Sequence, residues 1–161
     1  METADEVAAE LARRGLPSEV DHYFDTREPA VRLVDVEGDA AAAAPGRPYV
    51  FGVAAAAAPR LHEEATAELA AAPAAPAAHG LTLLLLILNA GHAHAWACRR
   101  TRAVAGGLDA GAIRAELAVS TLILSRRRSM KASEAWAHRR WLCEQLVGML
   151  RAGEAAARGG V

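Results

Sequence analysis

The chain has little of what many functional assignments depend on. It contains one lysine, Lys131, against 17 arginines, and it has two cysteines, three Trp, two Tyr and two Phe. Because no export signal is evident, Cys98 and Cys143 are expected to be reduced thiols. The amino terminus is acidic, which is the wrong sign for a secretory leader. The most apolar run, residues 81–88, is far shorter than the ~20 residues of a membrane span. We therefore expect a cytoplasmic protein without a membrane span.

Motifs for catalysis are also absent from the sequence. There is no glycine-rich phosphate loop, no Gly-x-Ser-x-Gly elbow and no pair of catalytic carboxylates. A metal site is not expected. His92, His94 and Cys98 offer three candidate ligands, but His92 and His94 would face different sides of a helix and no fourth ligand is nearby. The chain is thus expected to hold no metal and no cofactor, and to catalyse no reaction unaided.

Alanine makes up roughly a quarter of the chain and occurs in runs. The runs at residues 40–44, 54–58 and 70–78 add little core volume, and two prolines interrupt the last of them. Because proline removes a backbone donor and blocks the preceding turn, this stretch is expected to be a flexible insert or linker. Residues 1–80 are predicted to form a divergent acidic region with low-complexity inserts rich in alanine and proline.

The net charge changes sign along the chain. Residues 1–80 carry 14 acidic and 6 basic groups, a net of −8, whereas residues 81–161 carry 5 acidic and 12 basic groups, a net of +7. Either the second half presents a basic face to an anionic ligand or partner, or the two halves neutralise each other. Arginines at 126–128 would also complement the carbonyl end of a helix.

Two segments of the second half share one pattern. Residues 130–142 (Met-Lys-Ala-Ser-Glu-Ala-Trp-Ala-His-Arg-Arg-Trp-Leu) align without a gap with residues 90–102 (Ala-Gly-His-Ala-His-Ala-Trp-Ala-Cys-Arg-Arg-Thr-Arg). Trp96 aligns with Trp136, and a pair of arginines follows each tryptophan at the same offset. Two copies of one unit at a period of about 40 residues are typical of a helical repeat.

Each copy is predicted to be the second helix of a helical hairpin. Asp109 and Ser133 are suitable N-caps for the two helices of the second hairpin. Two neighbouring stripes at helical spacing follow Ser133, and they indicate a helix that is packed from two sides. The first stripe comprises Trp136, Arg140, Cys143, Val147 and Leu150, and the second comprises Trp141, Leu142, Gln145, Leu146 and Met149.

These patterns predict an all-α fold, an alpha-alpha superhelix of tetratricopeptide-like helical hairpins that follows the Ala/Pro-rich amino-terminal part. The two repeats occupy about residues 81–106 and 109–150 within a region 81–152, and residues 153–161 are expected to be a flexible tail. Because the register between the copies has no gap, Trp96 and Trp136 are predicted to lie in equivalent environments.

The second copy resembles the repeat of protein prenyltransferase alpha subunits, whose second helix opens with Asn-Pro-Lys-Asn-Tyr-x-x-Trp-x-His-Arg-Arg-Trp-Leu. The likeness covers roughly half of the chain, and residues 28–38 are most similar to divergent repeat-containing members of that family. The matching residues are Lys131, Trp136, His138, Arg139, Arg140, Trp141 and Leu142 in the second copy, and Asn89, Trp96, Arg99 and Arg100 in the first.

Both copies also depart from the family pattern. Family members carry about five or more repeats, whereas a solenoid needs roughly three to bury a continuous core. With two repeats, the chain is expected to be a truncated product or a fragment that needs a partner. Met130, Ala132 and Ser133 replace the Pro, Asn and Tyr of the pattern, and in the first copy Ala90, Gly91, Cys98 and Thr101 replace Pro, Lys, His and Trp.

The resemblance implies an alpha-type scaffold subunit that supports transfer of a farnesyl or geranylgeranyl group from its diphosphate to a protein cysteine. The implied partner is a prenyltransferase beta subunit, such as that of the Rab-type geranylgeranyl transferase, and zinc in that subunit would activate the acceptor thiolate. Lys131 stands where the family has a lysine that contacts the diphosphate, so it is the candidate catalytic residue, with a structural role as the alternative. Structural or subunit-interface roles are implied for Asn89, Trp96, Arg99, Arg100, Trp136, His138, Arg139, Arg140 and Trp141.

Other functions stay open on the sequence alone. The chain could be a non-enzymatic tetratricopeptide-like module that binds proteins, or an incomplete fragment without activity. Nucleic-acid binding through the arginines of residues 99–102 and 126–131 is not expected, because they lie at helix ends between apolar stripes and no exposed aromatic platform is evident.

Overall fold

The computed structural model describes residues 1, 3–23, 30–35 and 49–159. Most of this part of the chain is helical and its helices pack on one another, so the predicted helical, repeat-like fold is confirmed. The alanine run at 40–44 and part of residues 28–38 lie outside the described residues. The elements are α1 (Ala4–Arg14), β1 (Glu19–Tyr23), β2 (Val31–Asp35), β3 (Tyr49–Ala54), α2 (Ala58–Ala71), α3 (Ala78–Leu88), α4 (Ala93–Ala105), α5 (Ala110–Ser125) and α6 (Ser133–Gly159).

A small sheet, which the sequence analysis did not predict, lies in the amino-terminal part. Its strand order is β1-β3-β2, with β3 parallel to β1 and antiparallel to β2. The central strand carries aromatic and β-branched residues that favour strands, and Tyr49, Phe51 and Val53 are fully buried. The strands are only five or six residues long and lie far apart in the sequence, so local periodicity gives little sign of them.

Helix α3 lies at the centre of the molecule. Its sequence is apolar on every side, which suits a helix enclosed by neighbours, and it packs against α1, α2, α4 and α5. Gly80 permits a close approach to α1, since a Cβ atom at this position would lie 1.9 Å from the carbonyl oxygen of Ala8. The expected alanine-rich linker is a connection at residues 72–77, because the chain is helical again from Ala78, whose side chain is buried.

The two predicted hairpins are α3 with α4 and α5 with α6. Asp109 is the N-cap of α5, and its carboxylate accepts from the Ala112 amide at 2.8 Å. Ser133 is instead the first residue of α6, where its hydroxyl donates to the carboxylate of Glu134. Helix α4 has 13 residues and α6 has 27, so α6 continues through residues 153–159 of the expected tail.

The prediction that α6 is packed from two sides is wrong for its first stripe. Trp136, Val147 and Leu150 are 52%, 43% and 60% exposed, and Cys143 is exposed as well. On the second stripe Leu142 is fully buried, because that side of α6 packs against α5 and α4. Helix α6 therefore has one covered side and one open side.

Candidate functional site

One polar side chain from each of the helices α3 to α6 meets at the joint between the two hairpins. Arg99 of α4 donates from Nε and Nη2 to the two carboxylate oxygens of Glu116 in α5, at 2.9 and 2.8 Å. Its Nη1 donates to the hydroxyl of Thr82 in α3 at 3.1 Å. Nε2 of His138 in α6 lies 3.2 Å from the same Glu116 carboxylate. All four side chains are buried, and their mutual pairing is what makes charge tolerable at this depth.

The charge state of Glu116 follows from this arrangement. Burial would raise the pKa of Glu116, but the hydrogen bond from His138 and the positive charge of Arg99 outweigh it, so the pKa lies below its usual value. An ionised carboxylate can only accept, so His138 carries a proton on Nε2. The His138 ring lies between two tryptophans, with centroids 4.6 Å from Trp96 and 5.6 Å from Trp141.

The two repeat tryptophans share one local geometry but differ in burial. The indole N–H of Trp96 donates to the Ala90 carbonyl at 2.8 Å, and that of Trp136 donates to the Met130 carbonyl, also at 2.8 Å. Trp96 is fully buried beneath His138 of the second hairpin, whereas Trp136 is 52% exposed. The prediction of equivalent environments is therefore wrong with respect to burial, because no further hairpin among the described residues covers Trp136.

The four motif arginines have four different environments. Arg99 is buried and paired with Glu116, so its carboxylate partner belongs to this chain. Arg139 donates from Nη1 to the hydroxyls of Ser120 at 3.1 Å and Thr121 at 2.9 Å. Arg100 is half-buried, with an Nε that has no hydrogen-bond partner among the described residues, and Arg140 is exposed. Arg140 is solvated because it lies on the open side of α6.

Lys131 lies in a cleft between the turns of the two hairpins, which we call the turn cleft. Lys131 and Asn89 are both exposed, and the Asn89 side chain accepts from the Gly91 amide at 3.1 Å. Arg126 donates to the carbonyl of Ile87 at the end of α3. The cleft has a volume of about 360 Å³ and combines three cations with one amide side chain. Its lining residues are Leu88, Asn89, Ala90, Gly91, Arg126, Arg128, Ser129, Lys131 and Ala132.

The histidines near the start of α4 have structural contacts. His92 is the N-cap of α4, with Nδ1 accepting from the Ala95 amide at 3.2 Å. Nε2 of His94 lies 3.6 Å from the sulfur of Cys98, and burial raises the pKa of that thiol. Within residues 1, 3–23, 30–35 and 49–159, no group of three His, Cys, Asp or Glu could hold a metal ion.

Sequence reasoning missed Glu116 and Thr82, which complete the joint. A usable sign for Glu116 was present, because it is the only acidic residue in α5 and stands between Ile113 and Val119, both buried. The departure at Cys98 also has an explanation. His138 stacks on Trp96, the tryptophan of the preceding copy, but one repeat period before Trp96 the chain has Ala56, so a ring at position 98 would have no such partner.

No model of a known protein family matches this chain, and no curated protein matches it either. Among the described helices, none combines the length and the apolar character that crossing a bilayer requires.

Proposed function

We propose that this chain is an alpha-type scaffold subunit of a protein prenyltransferase, acting in the cytosol with a beta subunit. The observation that carries the proposal is the use of the Trp-x-His-Arg-Arg-Trp motif at residues 136–141. The His138 ring lies against Trp96 of the preceding hairpin, while His138 and Arg139 also bind side chains of α5, the first helix of their own hairpin. The His138–Trp96 contact joins one hairpin to the next, which is the task expected of a stacking repeat, and the other contacts hold the second hairpin together.

The turn cleft supports a contact with a diphosphate. Lys131, Arg128 and Arg126 bring three positive charges to the same side of the two hairpins, beside the amide of Asn89. Cations beside a departing diphosphate stabilise the negative charge that develops in the transition state. Burial and the neighbouring Arg128 lower the pKa of Arg126, but an arginine remains charged at any physiological pH.

In the proposed reaction, a cysteine thiolate of the protein substrate attacks the carbon that bears the diphosphate. A C–S bond forms as the C–O bond breaks, and the diphosphate leaves with the bonding electrons. Zinc in the beta subunit would hold the sulfur as a thiolate. This chain would supply the scaffold and part of the positive charge that meets the leaving group.

Co-expression tests the proposal. The chain should copurify with a prenyltransferase beta subunit, for example that of the Rab-type geranylgeranyl transferase, and should not copurify with an unrelated helical-repeat partner. The assembled pair should transfer a farnesyl or geranylgeranyl group to a protein cysteine. If the folded chain binds no beta subunit at all, the prenyltransferase assignment is excluded.

In that complex, Lys131→Ala tests whether this chain contributes to catalysis or serves as a scaffold alone. An essential cation beside the leaving group is worth on the order of 2–4 kcal/mol, a fall in turnover of tens- to several-hundred-fold. We expect near-normal turnover, because Arg126 and Arg128 share the cleft and Ser133 replaces the tyrosine of the family pattern. Steady-state kinetics of prenyl transfer would measure it, with the exposed Arg114→Ala on α5 as the control. A hundredfold loss confined to Lys131→Ala would instead make Lys131 a catalytic residue.

A non-enzymatic protein-binding module is the second candidate function. The observation that favours it is the open side of α6, with Trp136 half exposed at its start. Such a module would bind a protein partner without supporting prenyl transfer. Binding of a helical partner by a chain that forms no active pair with any beta subunit would select this function.

A further inference from the structure

The open side of α6 forms a continuous surface that we call the end face. It combines apolar residues with two arginines along one side of the helix, at spacings of three and four residues. A shallow groove of about 440 Å³ runs beside Arg140, Cys143 and Val147. The end face consists of Trp136, Arg139, Arg140, Cys143, Val147 and Leu150.

The joint between the two hairpins shows what fits on such a surface. At the equivalent position of the first hairpin, Arg99 uses Nη1 for a hydroxyl of its own hairpin, that of Thr82. Its Nε and Nη2 face the next hairpin and hold both oxygens of Glu116. The indole of Trp96 is covered by the imidazole of His138 from the same incoming hairpin.

The end face repeats the first half of this arrangement and lacks the second. Arg139 uses Nη1 for the hydroxyls of Ser120 and Thr121 in its own hairpin. In the part of the chain that the structure describes, the hydrogen bonds of Arg139 come from Nη1 alone, and Arg139 forms no salt bridge. Trp136 makes the same indole hydrogen bond as Trp96, but its ring is 52% exposed. Two contact sites are therefore open. One is the edge of Arg139 that would hold a carboxylate, and the other is the Trp136 ring that would hold an imidazole.

Among the described residues, α6 leads into no further hairpin that could supply the missing half. Helix α4 ends at Ala105 and the chain turns at Gly106 and Gly107, which leads into the next hairpin. The residue equivalent to Ala105 is Gln145, and α6 continues past it to Gly159. One repeat period after Glu116 the chain has Ala156, so the sequence places no carboxylate at that register.

We propose that the end face docks a helical hairpin of a partner polypeptide, which presents a glutamate to Nε and Nη2 of Arg139 and a histidine ring to Trp136. Residues 81–161 carry a net charge of +7, which favours a partner with an acidic face. Val147 and Leu150 extend the contact along α6 with apolar surface. This proposal rests on the internal repeat, the charge and the exposed apolar surface, and it holds whether or not the chain takes part in prenyl transfer.

The test uses the full chain with a hairpin of known chemistry tethered to it. Residues 106–153 of this chain, which hold Glu116 and His138, are joined after Val161 by a flexible Gly/Ser linker, giving an effective concentration in the millimolar range. Cys143 of the tethered segment is replaced by Ser, so that alkylation reports on Cys143 of the end face, while Cys98 is buried. Docking should slow this alkylation by about tenfold or more relative to the untethered chain.

Matched variants then test the chemistry of the contact. Glu116→Gln in the tethered segment should restore fast alkylation, and so should Arg139→Glu in the chain combined with the unaltered segment. Arg139→Glu with Glu116→Arg in the segment should recover protection. Protection that is indifferent to these changes would reduce the contact to apolar packing and overturn the proposal, and so would free alkylation with the unaltered segment. Sedimentation of the untethered chain completes the test, because a dimer that protects Cys143 would make a second copy the occupant.

Discussion

At Glu116, Arg99 of α4 and His138 of α6 meet one carboxylate, and Thr82 of α3 joins the group through Arg99. Removing one member of a buried, paired group leaves the others desolvated without their partner, which costs more than the pair itself contributes to stability. The cost would be greatest for Arg99, since its guanidinium is always charged and the residue is only 3% accessible.

Glu116→Gln should lower the free energy of unfolding by about 3 kcal/mol or more at neutral pH, because it removes the negative charge that neutralises Arg99. Denaturant unfolding monitored by circular dichroism measures this. Glu144→Gln on the exposed side of α6 is the control and should change stability by less than about 0.5 kcal/mol. Equal effects of the two substitutions would show that the joint is not an energetic feature of the fold.

The same carboxylate predicts a pH dependence. The folded-state pKa of Glu116 lies below the usual value of 4.5, so its contribution is fully present above about pH 4.5 and is lost as the pH falls through the folded-state pKa. The stability difference between the original chain and Glu116→Gln should therefore be constant at neutral pH and shrink in acid. A difference that grows below pH 4.5 would contradict the assignment of an ionised Glu116.

A substitution at Gly80 should also have a strong effect on the stability of the fold. A methyl group at position 80 would meet the backbone of Ala8 at 1.9 Å, and backbone cannot move aside as a flexible side chain can. Gly80→Ala should therefore destabilise the chain by about 1–3 kcal/mol or more. Gly148→Ala on α6 is the matched control: it meets nothing within 4 Å and should stabilise by about 0.5–1 kcal/mol. Thermal melts of both variants decide the matter.

At the scale of the helices, the sequence predicted what repeats locally and missed what is joined at a distance. The gapless register between the two copies placed α4 and α6 correctly, because each begins with the same tryptophan and arginine pattern. The strands were not predicted, because short strands leave little periodic signal. In addition, β3 pairs in parallel with β1 although β2 lies between them in the sequence. The joint at Glu116 was not predicted either, because its partners Arg99 and His138 lie 17 and 22 residues away and no motif links them to Glu116.

The unequal burial of the two helices predicts unequal effects of equivalent substitutions. Trp96→Ala removes a fully buried side chain and should cost about 3–5 kcal/mol. Trp136→Ala removes a half-exposed ring at the same repeat position, so its cost should be well below that of Trp96→Ala. Denaturant unfolding compares the two variants through their midpoints, provided that the slopes of their transitions are equal. Similar losses would mean that Trp136 is covered in solution.

At the scale of the whole molecule, one buried core runs from Ala4 in α1 to Ala135 in α6, and the end face lies outside it. Repeat arrays need a polar outer surface on their terminal units to stay soluble. The chain alone should therefore aggregate on heating, with a broad melt. Val147→Gln combined with Leu150→Gln should raise the aggregation temperature and the fraction that refolds. Val104→Gln, at a comparably exposed site on α4, should not, and light scattering during a melt distinguishes these outcomes.

The close contact of α1 with Gly80 has a consequence for stoichiometry. Because the Ala8 backbone occupies the space beside residue 80, no hairpin can enter between α1 and α3, and that side of the first hairpin is sealed. Filaments and rings grow when one end of a subunit fits the opposite end of the next copy. The part of the chain that the structure describes has one sealed end and one open end, so it does not offer the two matching ends that such growth requires. If the end face docks a hairpin as proposed, the described part of each copy accepts one hairpin and offers no second site of this kind.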